Sequence, residues 1–315
     1  MLFDNTSNTL LYILAFVIIW YGSGLIVAAA TKFSSRLRLS AFAFSFIFLG
    51  LLTSIPEFSV GIQAVADHDA EIFVGNLLGG IVVMFLFIIP VLAIFGNGIS
   101  LKHELDKKTL IATLAVIVTP SILVLDRQIT NIEGGFLVVI YVALLYLVER
   151  KDGIFNRENK ELLNSKAYSL RDILTMLLGI GLVFLSSNII VDKTVYFADV
   201  FNISTFYIGL IIISIGTNLP ELSLAVRSVI SGKKEVAMGD YLGSAAVNTI
   251  LFGLFTLLHD GEVITINNFY VTFIFIGSAL ALFYVFFSTK KFISRNNGIA
   301  LIGLYLLFVI LELYK

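Results

Sequence analysis

Apolar residues in this chain neither alternate nor keep to one helical face. They come in long unbroken runs with short polar breaks between them. About 20 apolar residues are what a helix needs to cross a hydrocarbon layer. Ten runs of that kind are legible, at 10–31, 40–66, 72–95, 109–125, 129–148, 173–191, 203–230, 236–258, 269–288 and 298–313. Residues 1–9 hold no Lys or Arg, so the first run lacks the charged start of a signal peptide and is kept as a span. The expected fold is all-α, a polytopic membrane protein of ten transmembrane helices.

Composition agrees. Of 315 residues, 58% are apolar and 14% charged, against roughly 25% charged in an ordinary soluble domain. That excludes a disordered chain and a water-soluble enzyme of the usual kind. With 21 Lys and Arg against 22 Asp and Glu there is no basic surplus for a nucleic acid. The absence of cysteine excludes disulfides, thiolate metal sites and a cysteine nucleophile.

Basic residues set the orientation. With the N-terminus outside, 17 of the 21 Lys and Arg fall in inside loops, and Arg127, Lys193 and Lys315 lie outside. Arg227 falls near the inner end of run seven, where it is expected to snorkel to the surface. Both termini are then outside. The polar stretch 149–172 mixes signs and reads as a solvated cytoplasmic linker between two halves, 1–148 and 173–315.

The halves repeat. At an offset of 164 residues, Thr53 meets Thr217, Pro56 meets Pro220, Glu57 meets Glu221 and Ser59 meets Ser223. Glu71, Gly75, Gly79 and Val83 meet Glu235, Gly239, Gly243 and Val247 with no gap. One Thr-x-x-Pro-Glu lies in span two and the other in span seven. An odd number of spans separates them, so the halves enter the bilayer in opposite senses. Such inverted repeats of five helices are a common plan of secondary transporters, with the site near the midplane between repeats.

Glu57 and Glu221 lie deep in apolar runs, where a carboxylate costs about 3 kcal/mol or more. No Lys or Arg lies at comparable depth. Two such acids facing each other repel unless a cation lies between them or one takes a proton. A hard divalent cation held by oxygens suits that pair. Pro56 and Pro220 cannot donate backbone hydrogen bonds, so carbonyls around Leu52–Thr53 and Gly216–Thr217 lose partners and join the acids as oxygen donors. Pro90 and Pro120 have no repeat mates and read as ordinary kinks. On span eight, Asp240, Ser244 and Asn248 recur every four residues and share a face. The matching positions on span three are Asn76, Gly80 and Met84.

Residues 50–90 and 214–254 resemble the signature segments of the cation/calcium exchanger superfamily, nearest its prokaryotic sodium/calcium exchanger branch. The first reads Gly-Leu-Leu-Thr-Ser-Ile-Pro-Glu and then Gly-Asn-Leu-Leu-Gly-Gly. The second reads Gly-Thr-Asn-Leu-Pro-Glu and then Gly-Asp-Tyr-Leu-Gly-Ser-Ala-Ala-Val-Asn. The resemblance implies that Glu57 and Glu221 are the principal cation ligands. It implies that Thr53 and Thr217 complete the central site and that Ser54, Asn218 and Ser244 line flanking sites. Asn248 takes the place of a central polar ligand, and Asn76 and Asp240 belong to the same set. Spans one and six would slide across a rigid core.

The chain departs from the family pattern. Met84 stands where an Asn or Asp is usual, and its thioether is a poor ligand for a hard cation. Gly80 and Asn218 replace serines, and Asp240 replaces an Asn. The implied function is therefore antiport of Ca2+ for Na+, with exchange for H+ as the alternative. Transported cations and the bilayer are the expected partners, with no tightly bound cofactor, no nucleic acid and no inferable protein partner. A passive channel normally gathers its filter from several chains. An intramembrane aspartyl protease, prompted by Met-Gly-Asp-Tyr at 238–241, lacks a second Asp at that depth. His68, His103 and His259 fall in or near loops and read as surface residues. Asp126 and Glu133 flank a short outer loop.

Overall fold

Inside hydrocarbon, a helix is the one way a single segment can satisfy all its backbone N–H and C=O groups. The computed structural model is helical through the apolar runs. It describes residues 2–36, 41–66, 68–100, 107–152, 170–200, 208–259, 261–289 and 292–314. Most of the expected linker (153–169), the start of span seven (203–207) and His103 lie outside the described residues. So do the basic residues Arg38, Lys102, Arg157, Lys160, Lys166, Lys290, Lys291 and Lys315.

Helix α1 (Leu2–Arg36) covers run one. Run two is α2 (Ala41–Phe44), a π-turn at Ser45–Leu49, α3 (Gly50–Thr53) and, after a break at Ser54, α4 (Ile55–Ala66). Run three is α5 (Ala70–Val83), a π-turn at Met84–Ile88 and α6 (Ile89–Phe95). Then come α7 (Lys107–Leu123), α8 (Asn131–Asp152) and α9 (Leu170–Val200). Run seven is a π-turn at Ile208–Ile213, α10 (Ser214–Thr217), a break at Asn218 and α11 (Leu219–Ile230). The last three are α12 (Lys234–Leu258), α13 (Tyr270–Thr289) and α14 (Arg295–Leu313). Among the described residues, eight helical stretches are long and apolar enough to cross a membrane. Helix α9 and the broken stretch 208–230 stand where spans six and seven are expected.

The π-turns were not foreseen. A widened turn leaves no distinctive residue type behind, and it lets a helix pass a neighbour or a proline without losing its ladder. Pro90 lies two residues past the end of the Met84–Ile88 π-turn.

Burial sorts the helices into a centre and a rim. In the apolar core of Ala70–Phe95, 83% of the residues are buried, and in that of Val236–Leu258 78%, whereas in those of Asn131–Val148 and Arg295–Leu313 only 28% are. The rim helices turn large apolar side chains such as Val139, Val142 and Leu306 outward, as a lipid-facing surface requires. Helix α1 packs chiefly along α9. The two cross at glycine: a Cβ at Gly22 would stand 2.9 Å from the Gly179 carbonyl oxygen, and one at Gly179 would stand 2.8 Å from that of Gly22. Lys32 and Asp172 pair at 3.0 Å near the same end of both helices.

The 164-residue offset runs through the element boundaries as well as the motifs. The breaks at Ser54 and Asn218 are mates. Four two-residue strands obey it too. β1 (Ile99–Ser100) pairs antiparallel with β4 (Phe292–Ile293), and β2 (Gln128–Ile129) pairs antiparallel with β3 (Val263–Ile264). Under the offset β1 maps on β3 and β2 on β4, so each ribbon maps on the other. Thr130 and Glu133 form a capping box at the start of α8, and the offset mate of Thr130, Ser294, caps α14 through Asn297 N–H. That capping gives Glu133 a structural role. Asp126 likewise accepts from the Gln128 N–H.

Candidate cation-binding site

The site begins with the two helix breaks. Pro56 and Pro220 occupy the second residue of α4 and α11, where a missing N–H costs least. The chain stops being helical just before them: Ser54 (φ −79, ψ 8) and Asn218 (φ −87, ψ 8) sit in the bridge region. Local side chains cover part of the exposed backbone. Ser54 Oγ donates to the Gly50 carbonyl at 2.8 Å and Asn218 Nδ2 to that of Ser214 at 2.8 Å, while Thr53 Oγ1 lies 3.0 Å from the Leu49 carbonyl oxygen and has a single proton to share between it and Asp240.

Against these breaks lie α5 and α12. Both approach at glycine. A Cβ at Gly243 would run into the Phe46 carbonyl, and one at Gly79 into the Leu210 carbonyl. These two contacts are offset mates, so the same close packing is built twice.

All ten sequence-predicted site residues come together here. Thr53 is the most exposed of them at 4%. Thr53 Oγ1 donates to Asp240 Oδ1 at 3.1 Å, and Thr217 Oγ1 donates to Asn76 Oδ1 at 3.2 Å. These bonds are again mates, each running from a break in one half to the central helix of the other. Ser244 Oγ donates to Glu221 Oε1 at 2.6 Å and lies 2.8 Å from Ser54 Oγ. Asn248 Nδ2 donates to the Leu77 carbonyl at 3.3 Å, a partner that no residue pattern singles out.

The mate of the Ser54–Ser244 contact is Asn218 against Gly80. A Cβ at Gly80 would stand 3.1 Å from both Asn218 Nδ2 and Asn248 Nδ2. The two departures from the family pattern are therefore one exchange: the longer amide fills the space that the missing side chain leaves. Met84, the third departure, is fully buried in the hydrophobic core at the start of its π-turn.

Electrostatics decide what this interior can hold. Glu57, Glu221 and Asp240 are fully buried. The three carboxyl groups lie close enough that negative charges on any two of them would repel. Five of their atoms and neighbours have no hydrogen-bond donor among the described residues: both Glu57 oxygens, Glu221 Oε2, Asp240 Oδ2 and Asn248 Oδ1. Asn218 Oδ1 makes a sixth. Buried acceptors left this way cost about 1–3 kcal/mol each, more when charged. Their chemistry fits a hard cation, which takes oxygens from carboxylates, amides and hydroxyls. Among the described residues no three His, Cys, Asp or Glu side chains form a metal cage by themselves. The donor set is mixed, as for calcium or sodium. On the α9 side, Thr53 and Pro56 border a void of about 10 Å³, close to the room one water needs.

His68 and His259 are brought together, which their sequence positions did not suggest. Their rings meet edge to face at 6.3 Å between the ends of α4 and α12.

This is the architecture of a membrane cation exchanger. The profile of the sodium/calcium exchanger protein family matches residues 7–148 and 172–314, and the chain belongs to that family. It is 24% identical to the sodium/calcium exchanger MaX1 of Methanosarcina acetivorans, over 98% of this chain and 99% of that one. It is 26% identical to the inner membrane protein YrbG of Escherichia coli, over 81% of each. In fold it is similar to the sodium-calcium exchanger NCX_Mj soaked with 10 mM Na+ and zero Ca2+. That match has a TM-score of 0.81 at 20% identity and covers 96% of this chain and 98% of the other.

Proposed function

We propose that this protein exchanges Ca2+ for Na+ by alternating access at the site formed by Glu57 and Glu221, in the membrane that bounds the cell. The observation that carries the proposal is the set of six oxygens around three buried acids that have, among the described residues, neither a donor nor a basic neighbour. Such a set demands positive charge from the transported ion. Glu57 and Glu221 hold Ca2+. Thr53, Thr217, Asn76 and Asp240 position them through the crossed hydrogen bonds, and Ser54, Ser244, Asn218 and Asn248 complete the cavity.

The halves 1–148 and 173–315, joined by the linker 149–172, form ten spans as an inverted repeat with both termini outside. The recurrence of breaks, caps and ribbons at one offset supports this reading. Helices α1 and α9, held together at Gly22, Gly179 and Lys32–Asp172, slide as a unit over the core. An empty site carries too much charge to cross the closed barrier, and this couples the two fluxes.

A second reading replaces Na+ with H+. The feature that favours it is the exchange at Gly80 and Asn218, which removes hydroxyls, together with the extra carboxyl of Asp240. Calcium-45 uptake into proteoliposomes, with sodium and proton gradients imposed separately, distinguishes the two. A sodium gradient drives uptake on the first reading, and a proton gradient does on the second. Glu57→Gln and Glu221→Gln are each expected to lower exchange at least about 30-fold, the equivalent of about 2 kcal/mol. Retained transport in both variants overturns the site.

A further inference from the structure

Arg227 stands apart from the ion site. It lies three residues before the end of α11, half-buried, with its guanidinium 5.6 Å from the centre of the Trp20 ring. It packs on α1 where Gly24 leaves room: a Cβ there would stand 3.2 Å from Arg227 Nε. Among the described residues no carboxylate pairs with it. A guanidinium held close to hydrocarbon at a helix end gains from an anion, and its planar fork matches a phosphate in two-point fashion.

A groove of about 660 Å³ runs from Trp20 along the seam between α1 and α11. Ile13, Val17 and Trp20 form one wall and Leu219, Leu222 and Val226 the other. Each wall is a one-face stripe whose ends are seven residues apart, about 10 Å of helix. Ile13 and Val17 are 56% and 47% exposed, so the groove opens sideways, in the direction of lipid. Arg227 does not line the groove itself but lies against Trp20, which does; a positive, hydrogen-bonding group beside the end of an apolar trough is the complement of one molecule class.

We propose that an anionic phospholipid binds here, with its phosphate on Arg227 and one acyl chain along the groove. The leaflet is the one at the Arg227 end of α11, which is cytoplasmic if both termini are outside. Anionic lipid is concentrated in such leaflets and attracts basic side chains. The outer end of the groove is Leu219, adjacent to Pro220 and Glu221. One wall belongs to α1 and the other to the helix that carries Glu221. The chain thus lies between two parts that move past each other in the transport cycle, and it sets how readily they do so. That last step rests on the antiport reading; the binding itself does not.

The test uses the full-length protein in nanodiscs of phosphatidylcholine with and without phosphatidylglycerol. Retained lipid is counted by native mass spectrometry, and equilibrium calcium-45 binding reports the ion site. Wild-type protein is expected to retain one phosphatidylglycerol in preference to phosphatidylcholine. Arg227→Gln is expected to weaken that retention roughly fivefold, the effect of one basic charge at a membrane surface. Arg227→Lys keeps part of it, and Val17→Trp, which fills the trough, removes it. Calcium binding stays intact in all three variants. Equal retention of the two lipids, or unchanged retention in Arg227→Gln, overturns the lipid site. Preferential lipid retention without any calcium binding by the wild type overturns the antiport reading and leaves the lipid site standing.

Discussion

Asn218 and Gly80 behave as a single unit although they are far apart in the chain. Serine at 80 in the present background would press its Cβ on two amide nitrogens 3.1 Å away, so Gly80→Ser alone is expected to weaken calcium binding. Asn218→Ser alone opens a gap beside Gly80. The double variant restores the hydroxyl pair that Ser54 and Ser244 make on the other side. Calcium affinity in a double-mutant cycle is expected to show favourable coupling of about 0.5–3 kcal/mol, and strict additivity would disprove the exchange. The crossed threonines are unequal for a simple reason. Thr53 serves a carboxyl group and Thr217 an amide. A hydrogen bond to a charged group is worth about 1.5–3 kcal/mol and one between neutral groups about 0.5–1.5. Thr53→Val should therefore lower calcium affinity more than Thr217→Val, as measured by equilibrium binding of each variant.

Elements were legible where hydrophobicity alone decides them. The apolar runs locate most helices to within a few residues, α1 and α9 running eight or nine residues beyond theirs at one end, and Pro56 and Pro220 locate the breaks. The π-turns left no such trace, because widening a turn changes which carbonyl an N–H meets and not which residues are apolar. The meeting of His68 with His259 was equally silent, since loop positions in different halves share no pattern. The polar cluster was the easiest part to read, because a carboxylate in an apolar run is expensive and stands out. What the sequence could not reveal was compensation: Gly80 and Asn218 read as two losses until contact joined them. The α1–α9 crossing at Gly22 and Gly179 carries its own expectation. Gly22→Leu forces the helices apart at an overpacking cost of about 1–3 kcal/mol. Turnover of exchange is expected to slow by about tenfold or more, while equilibrium calcium binding stays within about twofold. A variant that exchanges at the wild-type rate would show that the crossing is not part of the moving unit.

At the level of the molecule, one offset relates breaks, caps, crossed hydrogen bonds and ribbons, so a single architectural decision was made twice. The ribbons have a mechanical consequence. Each ties a loop of one half to a loop of the other, Ile99 opposite Ile293 and Gln128 opposite Ile264. Fastened twice in this way, the two halves resemble a picture frame nailed at opposite corners, which cannot shear. On the proposed antiport reading, any travel during the cycle must then happen in what is hung across the frame. The chain carries no native thiol, so a Gln128→Cys, Ile264→Cys pair can be oxidised without competing bridges. Calcium flux should survive that extra nail unchanged. Arrest on oxidation, reversed by reductant, would mean that the corners themselves have to open.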